Sequence, residues 1–508
     1  MEKFLLGIDN GGSDIKCAIF STDGKEISTS ATQVKIETPK PGFTERDANE
    51  VWEANVKVIK EAIGKANIKS DDILAIGITA YGNGLVFVDE NINPVYPAIV
   101  STDDRASDYC RKFKEEDIER KIFPYTRQTT WSAQPAVLLP WFRDNNPDVL
   151  NKTRWILSMK DYIRYKLTNK LNGELTEASS TCLMNLDTKK YDPFIFETLG
   201  IKECIDKMPS VLNSTDIAGT ITNEVSELTD LKEGTPVAAG YFDIDANALA
   251  SGILNDKELC LIAGTWSINE FLIKDVAIDI DKKTNIATLS YVDGLYLMED
   301  STPTSASNFN WYIEKIIKEY NPTITNKEIY ETCNKLVKER KPEDSSVIFV
   351  PYLYASATHP NAHGAFLNIT ALDDAASLIR AIYEGVIFSS VHHVYNLKRP
   401  IESYEKAKLS GGVTNSEVWS QMMADALQIP IQTLDGTQIG AKGAVIGAGV
   451  AAGIFKDLED GVKHMVHEGK VYTPNKSLAN IYKLKYDKYE KALNALNDLA
   501  ENINWCLR

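Results

Sequence analysis

The sequence lacks a run of five basic residues, a Cys-x-x-Cys pair and the Gly-x-x-x-x-Gly-Lys-Ser/Thr loop of Walker-type nucleotide sites. Acidic residues outnumber basic ones by 71 to 55, and a formal net charge of −16 repels the phosphates of nucleic acids. The longest apolar tract covers residues 443–455, short of the ~18–20 residues that span a bilayer. We therefore expect no nucleic-acid partner and no membrane segment.

The seven cysteines are odd in number and follow no metal-binding or redox spacing. A chain of 508 residues does not need disulfides for stability, so reduced and inert thiols are expected. The first residues show no basic region followed by a long apolar stretch, which argues against a signal peptide. These features together predict a cytoplasmic protein.

The length predicts two domains, because single cores stop growing near ~250–300 residues. The first eighty residues have the pattern of three strands, an amphipathic helix and a further strand. A second glycine-bearing hairpin is predicted at 258–274, which suggests a weak internal duplication. The boundary is predicted near 245–256, giving domains 1–246 and 247–508. No Ser/Pro-rich linker separates them, so we expect them to share a cleft.

The first candidate phosphate site is the predicted hairpin turn that follows the first strand. Asp9 ends this strand, and Gly11, Gly12 and Ser13 form the turn. Glycines allow backbone N–H groups to approach an anion closely, and Lys16 on the returning strand can reach a phosphate. A carboxylate beside a phosphate suits Mg²⁺, so Asp9 is the candidate metal ligand. An ordinary hairpin turn is the alternative interpretation of this segment.

Three further glycine turns lie in the second half. The turn at Gly264 and Thr265 sits between two predicted strands, and Gly411, Gly412 and Asn415 precede a predicted helix. Glycines at a helix N-terminus favour an anion or a nucleotide edge. A fourth turn, at 440–444, also starts a helix, and close helix packing through small residues explains it equally well.

A candidate general base follows the apolar strand 236–239. Asp243 lies where this strand turns into a small-residue helix, and a carboxylate there could accept a proton from a substrate hydroxyl. The alternative is that Asp243 caps the helix, a position that Asp favours, with Asp245 as the competing cap.

Taken in order, these segments resemble the FGGY family of carbohydrate kinases over nearly the full length of the chain, and their order and spacing together are specific. The matching segments are Asp9-Asn10-Gly11-Gly12-Ser13-Asp14-Ile15-Lys16, Gly42-Phe43-Thr44-Glu45-Arg46-Asp47, Asp103-Asp104-Arg105, Lys160-Asp161-Tyr162, Gly240-x-x-Asp243-x-x-Ala246, Gly264-Thr265, Arg380-Ala381-x-x-Glu384-Gly385 and Gly411-Gly412-x-x-Asn415.

The resemblance implies an α/β fold of two actin/RNase H-like (ribonuclease H-like motif) domains around a deep cleft. It implies ATP and Mg²⁺ as cofactors, a small-molecule sugar as substrate and Asp243 as catalytic base, and it is compatible with a homodimer. The implied sites are Gly11, Gly12, Ser13, Lys16, Gly264, Thr265, Gly411, Gly412 and Asn415 for the nucleotide, Asn83, Asp103, Trp131 and Asp243 for the sugar, and Asp9 for the metal. Core packing is the alternative role for Trp131.

The sugar side resembles the L-xylulose kinases of the family most closely, so a ketopentose is expected, with L-xylulose favoured. D-xylulose, ribulose and erythritol are the alternatives. Tyr81-Gly82-Asn83-Gly84 stands where D-xylulose kinases carry Gln-Met-His-Gly, which weakens an assignment to D-xylulose. Gly12 replaces a hydroxyl residue of the phosphate turn, and Ile244 replaces an asparagine after the catalytic aspartate.

Two hypotheses of a different class share the phosphate turns. An actin- or chaperone-like ATPase would use ATP to change shape and would not need Asp243. A catalytically inactive sugar-binding regulator would fit the departures at Gly12 and Ile244.

Overall fold

A computed structural model of the chain describes residues 2–264, 266–282, 286–302, 304–354, 356, 361–397 and 399–503. These residues form two compact units. The first unit comprises residues 1–254, 273–297 and 436–467, and the second comprises 255–272, 298–435 and 468–508. The units group residues by contacts in space, and the domain limits 1–246 and 247–508 stay a prediction.

Both units are mixed α/β, as predicted. The strands are β1 Phe4–Asn10, β2 Asp14–Ser21, β3 Glu26–Gln33, β4 Glu45–Arg46, β5 Ile73–Ala80, β6 Val86–Val88, β7 Ala98–Ile99, β8 Trp155–Leu157, β9 Gly173–Glu174, β10 Met184–Asn185, β11 Lys190–Tyr191, β12 Val211–Leu212, β13 Ile217–Thr220, β14 Pro236–Ala238, β15 Tyr241–Phe242, β16 Glu258–Ala263, β17 Ser267–Ile273, β18 Ile286–Leu289, β19 Tyr296–Thr302, β20 Ile348–Val350, β21 Ala365–Leu367, β22 Lys406–Ser410, β23 Ile431–Leu434 and β24 Glu468–Tyr472.

The helices are α1 Ala48–Ala66, α2 Ser107–Glu115, α3 Ile118–Thr126, α4 Pro135–Asn145, α5 Pro147–Lys152, α6 Met159–Thr168, α7 Leu175–Ser180, α8 Pro193–Thr198, α9 Asn223–Thr229, α10 Asp243–Ala250, α11 Ser307–Tyr312, α12 Lys318–Tyr320, α13 Asn326–Glu339, α14 Ala375–Asn396, α15 Glu417–Leu427, α16 Ile439–Ala451, α17 Leu458–Met465 and α18 Ala479–Asn502. Within the described ranges, none of these helices has both the length and the apolar character needed to cross a membrane.

The first unit is built on a sheet with strand order β13-β14-β5-β1-β2-β3, and β15 also pairs with β5. The hairpin β1–β2 is antiparallel, whereas β1 and β5 are parallel. Asp47 caps helix α1, because its side chain accepts hydrogen bonds from the backbone of the first turn, and the helix covers the apolar core with Val51, Val58 and Ile59. Burial of both faces explains why β1 reads as a nearly continuous apolar run.

Helix α16 lies close against the same sheet because glycines face it. A Cβ on Gly7 would lie 2.5 Å from the carbonyl oxygen of Ala441, and one on Gly77 would lie 2.1 Å from that of Ala444. A Cβ on Gly443 would lie 1.9 Å from the carbonyl oxygen of Ala246 in α10. The small residues at 440–444 therefore serve helix packing, which was one of the two interpretations of this segment.

The second unit repeats the central arrangement of the first. Its sheet includes the order β19-β17-β16-β22-β23-β24. Strands β16 and β17 form an antiparallel hairpin, and β16 pairs in parallel with β22. In each unit, a hairpin with a glycine turn is followed by a strand that pairs in parallel with the first strand of the hairpin. This repeat agrees with the predicted internal duplication.

Candidate active site

Three neighbouring strands of the first unit end in the same row. Asn10 of β1 lies opposite Ala80 of β5, and Ala80 lies opposite Phe242 of β15, with all three strands parallel. The chain therefore leaves the carboxyl edge of the sheet at Gly11, Tyr81 and Asp243. Adjacent strands lie ~4.8 Å apart, so the phosphate turn, the Tyr81–Gly84 segment and Asp243 emerge side by side. Ligands of open α/β sheets commonly bind at this edge.

The predicted phosphate turn is a closed hairpin. The register pairs Asp9 with Lys16, and the backbone N–H of Gly11 donates to the carbonyl of Asp14 at 2.9 Å. Ser13 is exposed at the tip. Apart from its chain neighbours, no described residue has a heavy atom within 4 Å of where a Cβ on Gly12 would stand, so the turn is open on that side.

A buried arginine holds this turn from behind, and it was not among the predicted site residues. Arg46 is 1% exposed, and its Nη1 donates to the carbonyl of Gly11 at 3.2 Å. Its Nη2 donates to the carbonyl of Gly12. Since both carbonyls point to Arg46, its guanidinium fixes the turn and brings a positive charge to it. Arg46 lies in a segment that carries the family resemblance. Its contact with the turn joins residues 35 positions apart in the chain, so no local sequence pattern indicates it.

Asp9 is half-buried at the end of β1. Burial raises its pKa to about 6; Lys16 acts in the opposite direction and Asp14 raises it further. A Cβ on Gly440 would lie 2.7 Å from Oδ2 of Asp9, so glycine is needed where α16 begins. A carboxylate whose burial is not fully offset by Lys16 is suited to a cation.

These residues fit Mg²⁺, which is commonly held by one or two carboxylates together with waters and substrate phosphates. Asp9 supplies one such carboxylate beside an anion-friendly turn. Among the described residues there is no group of three or more His, Cys, Asp or Glu side chains arranged to hold a metal ion by themselves. Asp9 as the magnesium ligand stays a prediction.

Asp243 is the first residue of α10 and does not act as its cap. The N-cap position is occupied by Phe242, whose side chain makes no capping hydrogen bond. The backbone N–H of Phe242 donates to Thr176 Oγ1 at 2.9 Å. Asp243 is half-buried, whereas Asp245 is fully buried. Burial and Glu174 hold the pKa of Asp245 well above its usual range. Of the two aspartates, Asp243 is the one that a ligand can reach.

The structure joins the segments that carry two of the predicted sugar-side residues, Asn83 and Trp131. The backbone N–H of Gly84 donates to the carbonyl of Ala133 at 2.9 Å, which joins the Asn83 segment to the Trp131 segment. Asn83 adopts a left-handed conformation with φ 63°. Within the described part of the chain, Asn83 Oδ1 and Trp131 Nε1 are both buried and have no hydrogen-bond partner. Polar atoms left in this state are candidates for contacts that form only when a ligand binds.

Asp103 is engaged elsewhere. Its Oδ1 accepts from Arg105 Nε at 2.8 Å, and its Oδ2 accepts from Arg105 Nη2 at 2.9 Å and from the backbone N–H of Thr44 at 2.6 Å. Both side chains of the pair are 0% exposed. A direct sugar contact from Asp103 stays a prediction that would require this ion pair to open.

Beneath the sugar-side residues lies a buried group of ionisable side chains that sequence reasoning did not select as site residues. Lys160 Nζ contacts Glu174 Oε2 at 2.5 Å, and both side chains are 0% exposed. Glu177 Oε1 accepts the backbone N–H of Asn83 at 3.0 Å. These partners come from α6, β9, α7 and the Tyr81–Gly84 segment. Since their contacts cross up to 94 residues of chain, no local pattern reveals them.

In the second unit the two glycine turns lie against each other. Gly411 has φ 94°, and a Cβ on it would lie 2.6 Å from the carbonyl oxygen of Ala263 and 2.8 Å from the nitrogen of Gly264. Gly264 donates its N–H to the carbonyl of Trp266 at 3.0 Å. Thr265, the remaining predicted residue of this turn, lies outside the described residues. Gly412 and Asn415 are exposed.

The helix that follows this turn is firmly anchored. Ser416 caps α15 by accepting the N–H of Trp419 at 3.1 Å, and its hydroxyl donates to Asn334 Oδ1 at 2.7 Å. The ring of Trp419 stacks on Tyr383 with centroids 4.1 Å apart and an interplanar angle of 7°. A turn fixed at both ends presents its backbone groups in one arrangement, which suits recognition of a nucleotide.

Comparison with known proteins identifies the class. The model of the FGGY family of carbohydrate kinases, N-terminal domain, matches residues 4–250, and that of the C-terminal domain matches residues 259–452. The chain belongs to this family, and the predicted resemblance is confirmed. The fold class is confirmed with it.

Individual relatives cover nearly the whole chain. The "Probable L-xylulose kinase" of Haemophilus influenzae is 33% identical, with 98% of this chain and 99% of the relative covered. The "L-xylulose/3-keto-L-gulonate kinase" of Escherichia coli is 30% identical, with 99% of each covered. Among solved structures, the gluconate kinase of Lactobacillus acidophilus superposes with a TM-score of 0.86 at 22% identity, covering 98% of this chain and 99% of that one. At this identity the structural likeness shows the fold alone.

Proposed function

We propose that this FGGY-family carbohydrate kinase transfers the γ-phosphoryl group of ATP to a terminal hydroxyl of a ketopentose, with L-xylulose as the favoured substrate. The observation that carries the proposal is the common row in which β1, β5 and β15 end. The phosphate turn, the sugar-side segment and Asp243 leave the sheet from that row. The names of the two curated relatives support L-xylulose within the family.

In this mechanism Asp243 accepts the proton of the substrate hydroxyl. The hydroxyl oxygen forms a bond to the γ-phosphorus, the bond from that phosphorus to the bridging oxygen breaks, and ADP leaves. The Gly11–Gly12 turn and Lys16 hold phosphate, while Gly264, Gly411, Gly412 and Asn415 hold the nucleotide. Asn83 and Trp131 orient the sugar. Positioning and electrostatic stabilisation supply most of the rate enhancement in such reactions.

Asp9 would hold Mg²⁺, which neutralises phosphate charge when it is bound. Burial raises the pKa of Asp9 to about 6. A bound cation would stabilise the charged form of this carboxylate. Ser13, exposed at the tip of the turn, is the remaining candidate phosphate contact.

The test is ADP release from Mg·ATP in the presence of single sugars: L-xylulose, D-xylulose, L-ribulose, D-ribulose, erythritol, glycerol, gluconate and 3-keto-L-gulonate. Strong stimulation by L-xylulose above the other compounds supports the proposal. Preference for another member keeps the kinase mechanism and rejects the substrate. ATP hydrolysis that no sugar stimulates would instead favour the switch-type ATPase.

A further inference from the structure

Glu177 connects two parts of the proposed sugar site. Its Oε1 accepts the backbone N–H of Asn83 at 3.0 Å, which holds the sugar-side segment. The preceding residue, Thr176, accepts the backbone N–H of Phe242 at 2.9 Å, directly before Asp243. Helix α7 thus holds the sugar-side segment through Glu177 and the turn at Asp243 through Thr176. Glu177 itself is 2% exposed.

The surroundings of Glu177 are those of an uncharged carboxylic acid. Its second oxygen, Oε2, is buried and finds no hydrogen-bond partner among the residues that the structure describes. The buried ammonium of Lys160, which interacts electrostatically with Glu177, contacts Glu174 Oε2 at 2.5 Å. A buried carboxylate with one unpaired oxygen is costly, and the neutral acid avoids this cost. The titratable groups that interact with Glu177 include Lys160 and Asp161 on α6, Asp243 on α10, Tyr191 on β11 and Tyr81 after β5.

We infer that Glu177 is a positioning residue for the kinase reaction, which in its uncharged form holds the Asn83 segment in place for the sugar beside Asp243. This inference rests on the proposed function and adds to it a residue that need not touch the substrate. Its effect reaches the sugar through the backbone of Asn83.

If Glu177 positions the sugar segment in its uncharged form, its ionisation should change kcat/KM with pH, which a purely structural role would not do. Burial raises the pKa of Glu177 to about 8; Lys160 and the hydrogen bond from the Asn83 N–H lower it, and Asp161 and Asp243 raise it. Above that pH the site gains a buried negative charge close to Asp243, and the unpaired oxygen needs a donor that the described contacts do not supply. We expect kcat/KM for the sugar to fall as pH rises through about 8.

The experiment compares Glu177→Gln and Glu177→Ala with the wild-type enzyme from pH 6 to 9.5. A glutamine keeps an acceptor for Asn83 and cannot ionise, so Glu177→Gln is expected to keep near wild-type activity at pH 7 and to lose the alkaline fall. Glu177→Ala removes the acceptor, and a displaced sugar segment should raise the KM for the sugar and lower kcat/KM about 10²-fold. The KM for ATP should stay unchanged in both variants.

An alkaline fall that persists unchanged in Glu177→Gln would overturn the inference, as would full activity of Glu177→Ala. Hydrogen–deuterium exchange of residues 81–84 gives a readout besides activity: exchange should accelerate in Glu177→Ala and stay slow in Glu177→Gln, and equal protection in all three proteins would also overturn it. If no sugar stimulates ADP release by the wild-type enzyme, the proposed function fails instead, while the exchange result still decides whether Glu177 holds the segment.

Discussion

At the scale of single residues, the environment of a side chain decides its role more than its type does. Asp243 and Asp245 stand two positions apart on one helix, yet one is half-buried and the other is fully enclosed. Asp103 and Asp9 both belong to segments that resemble the family, but Asp103 is enclosed by Arg105 and Asp9 is not. The sequence predicted these aspartates as candidate site residues or caps, whereas it did not predict their different partners and exposure.

Arg46 offers a test of how the phosphate turn is held. Arg46→Lys keeps a positive charge but cannot hold the carbonyls of Gly11 and Gly12 in the same two-pronged way. We expect it to raise the KM for ATP while the KM for the sugar changes little, and to lower the free energy of unfolding by about 2 kcal/mol, the range of hydrogen bonds to charged groups. Steady-state kinetics and urea unfolding measure both quantities.

The matched control is Lys40→Arg, an exposed position in the segment before Arg46. An Arg46→Lys enzyme with wild-type kinetics for ATP would show that the turn keeps its shape without the guanidinium.

Glu177 also makes the stability of the fold depend on pH. In the folded chain its pKa is about 8, whereas its usual value is 4.5. Between these values the folded state holds a proton that the unfolded state has released, so stability falls as pH rises from about 4.5 to about 8. Glu177→Gln removes this dependence, and its Tm should exceed that of the wild type by a margin that grows with pH. Parallel Tm curves across this range would contradict the expectation.

At the scale of secondary-structure elements, most strands and helices could be predicted. The hairpin predicted at 258–274 is formed by β16 and β17, which span residues 258–273. The amphipathic helix predicted between the third and fourth strands is α1, Ala48–Ala66. In the structure the buried face is centred on Val51, Val58 and Ile59, and Trp52 and Val56 are half-buried at its edge. Periodicity indicates that one face is apolar, while packing against the sheet decides which residues are at its centre.

The contact between α16 and α10 gives a prediction at this scale. A side chain at Gly443 would meet the backbone of Ala246, since a Cβ there would lie 1.9 Å from the carbonyl oxygen. Gly443→Val should therefore separate the two helices and destabilise the protein by about 1–3 kcal/mol, as overpacking does. Helix α10 begins with Asp243, so kcat should fall as well.

Gly64→Ala is the matched control, because this glycine lies inside helix α1 and, beyond its chain neighbours and its own helix backbone, no heavy atom of the described ranges lies within 4 Å of the added Cβ. It should leave kcat unchanged and stabilise the protein by about 0.5–1 kcal/mol, the helix preference of Ala over Gly. Equal changes in Tm for the two variants would contradict the expectation that the close contact at Gly443 excludes a side chain.

At the scale of the whole molecule, the sequence predicted two α/β units, an internal duplication and the family. It did not indicate that residues 436–467 join the first unit, since the glycines that receive α16 lie at 7 and 77, more than 350 residues away. Nor did it indicate the buried charges under Asn83, which depend on segments brought together only by folding. Local patterns predict elements and turns, whereas contacts between distant segments need the fold.

The most direct test of the proposed function is L-xylulose-dependent ADP release by Asp243→Asn beside the wild type, with ATP binding measured in parallel. Asp243 is half-buried at the first position of its helix, so the variant should fold normally and bind ATP as the wild type does. Turnover should fall by about 10²–10⁴-fold, the usual contribution of a general base. A folded Asp243→Asn enzyme that retains near wild-type turnover would contradict the proposed role of Asp243 and the mechanism built on it.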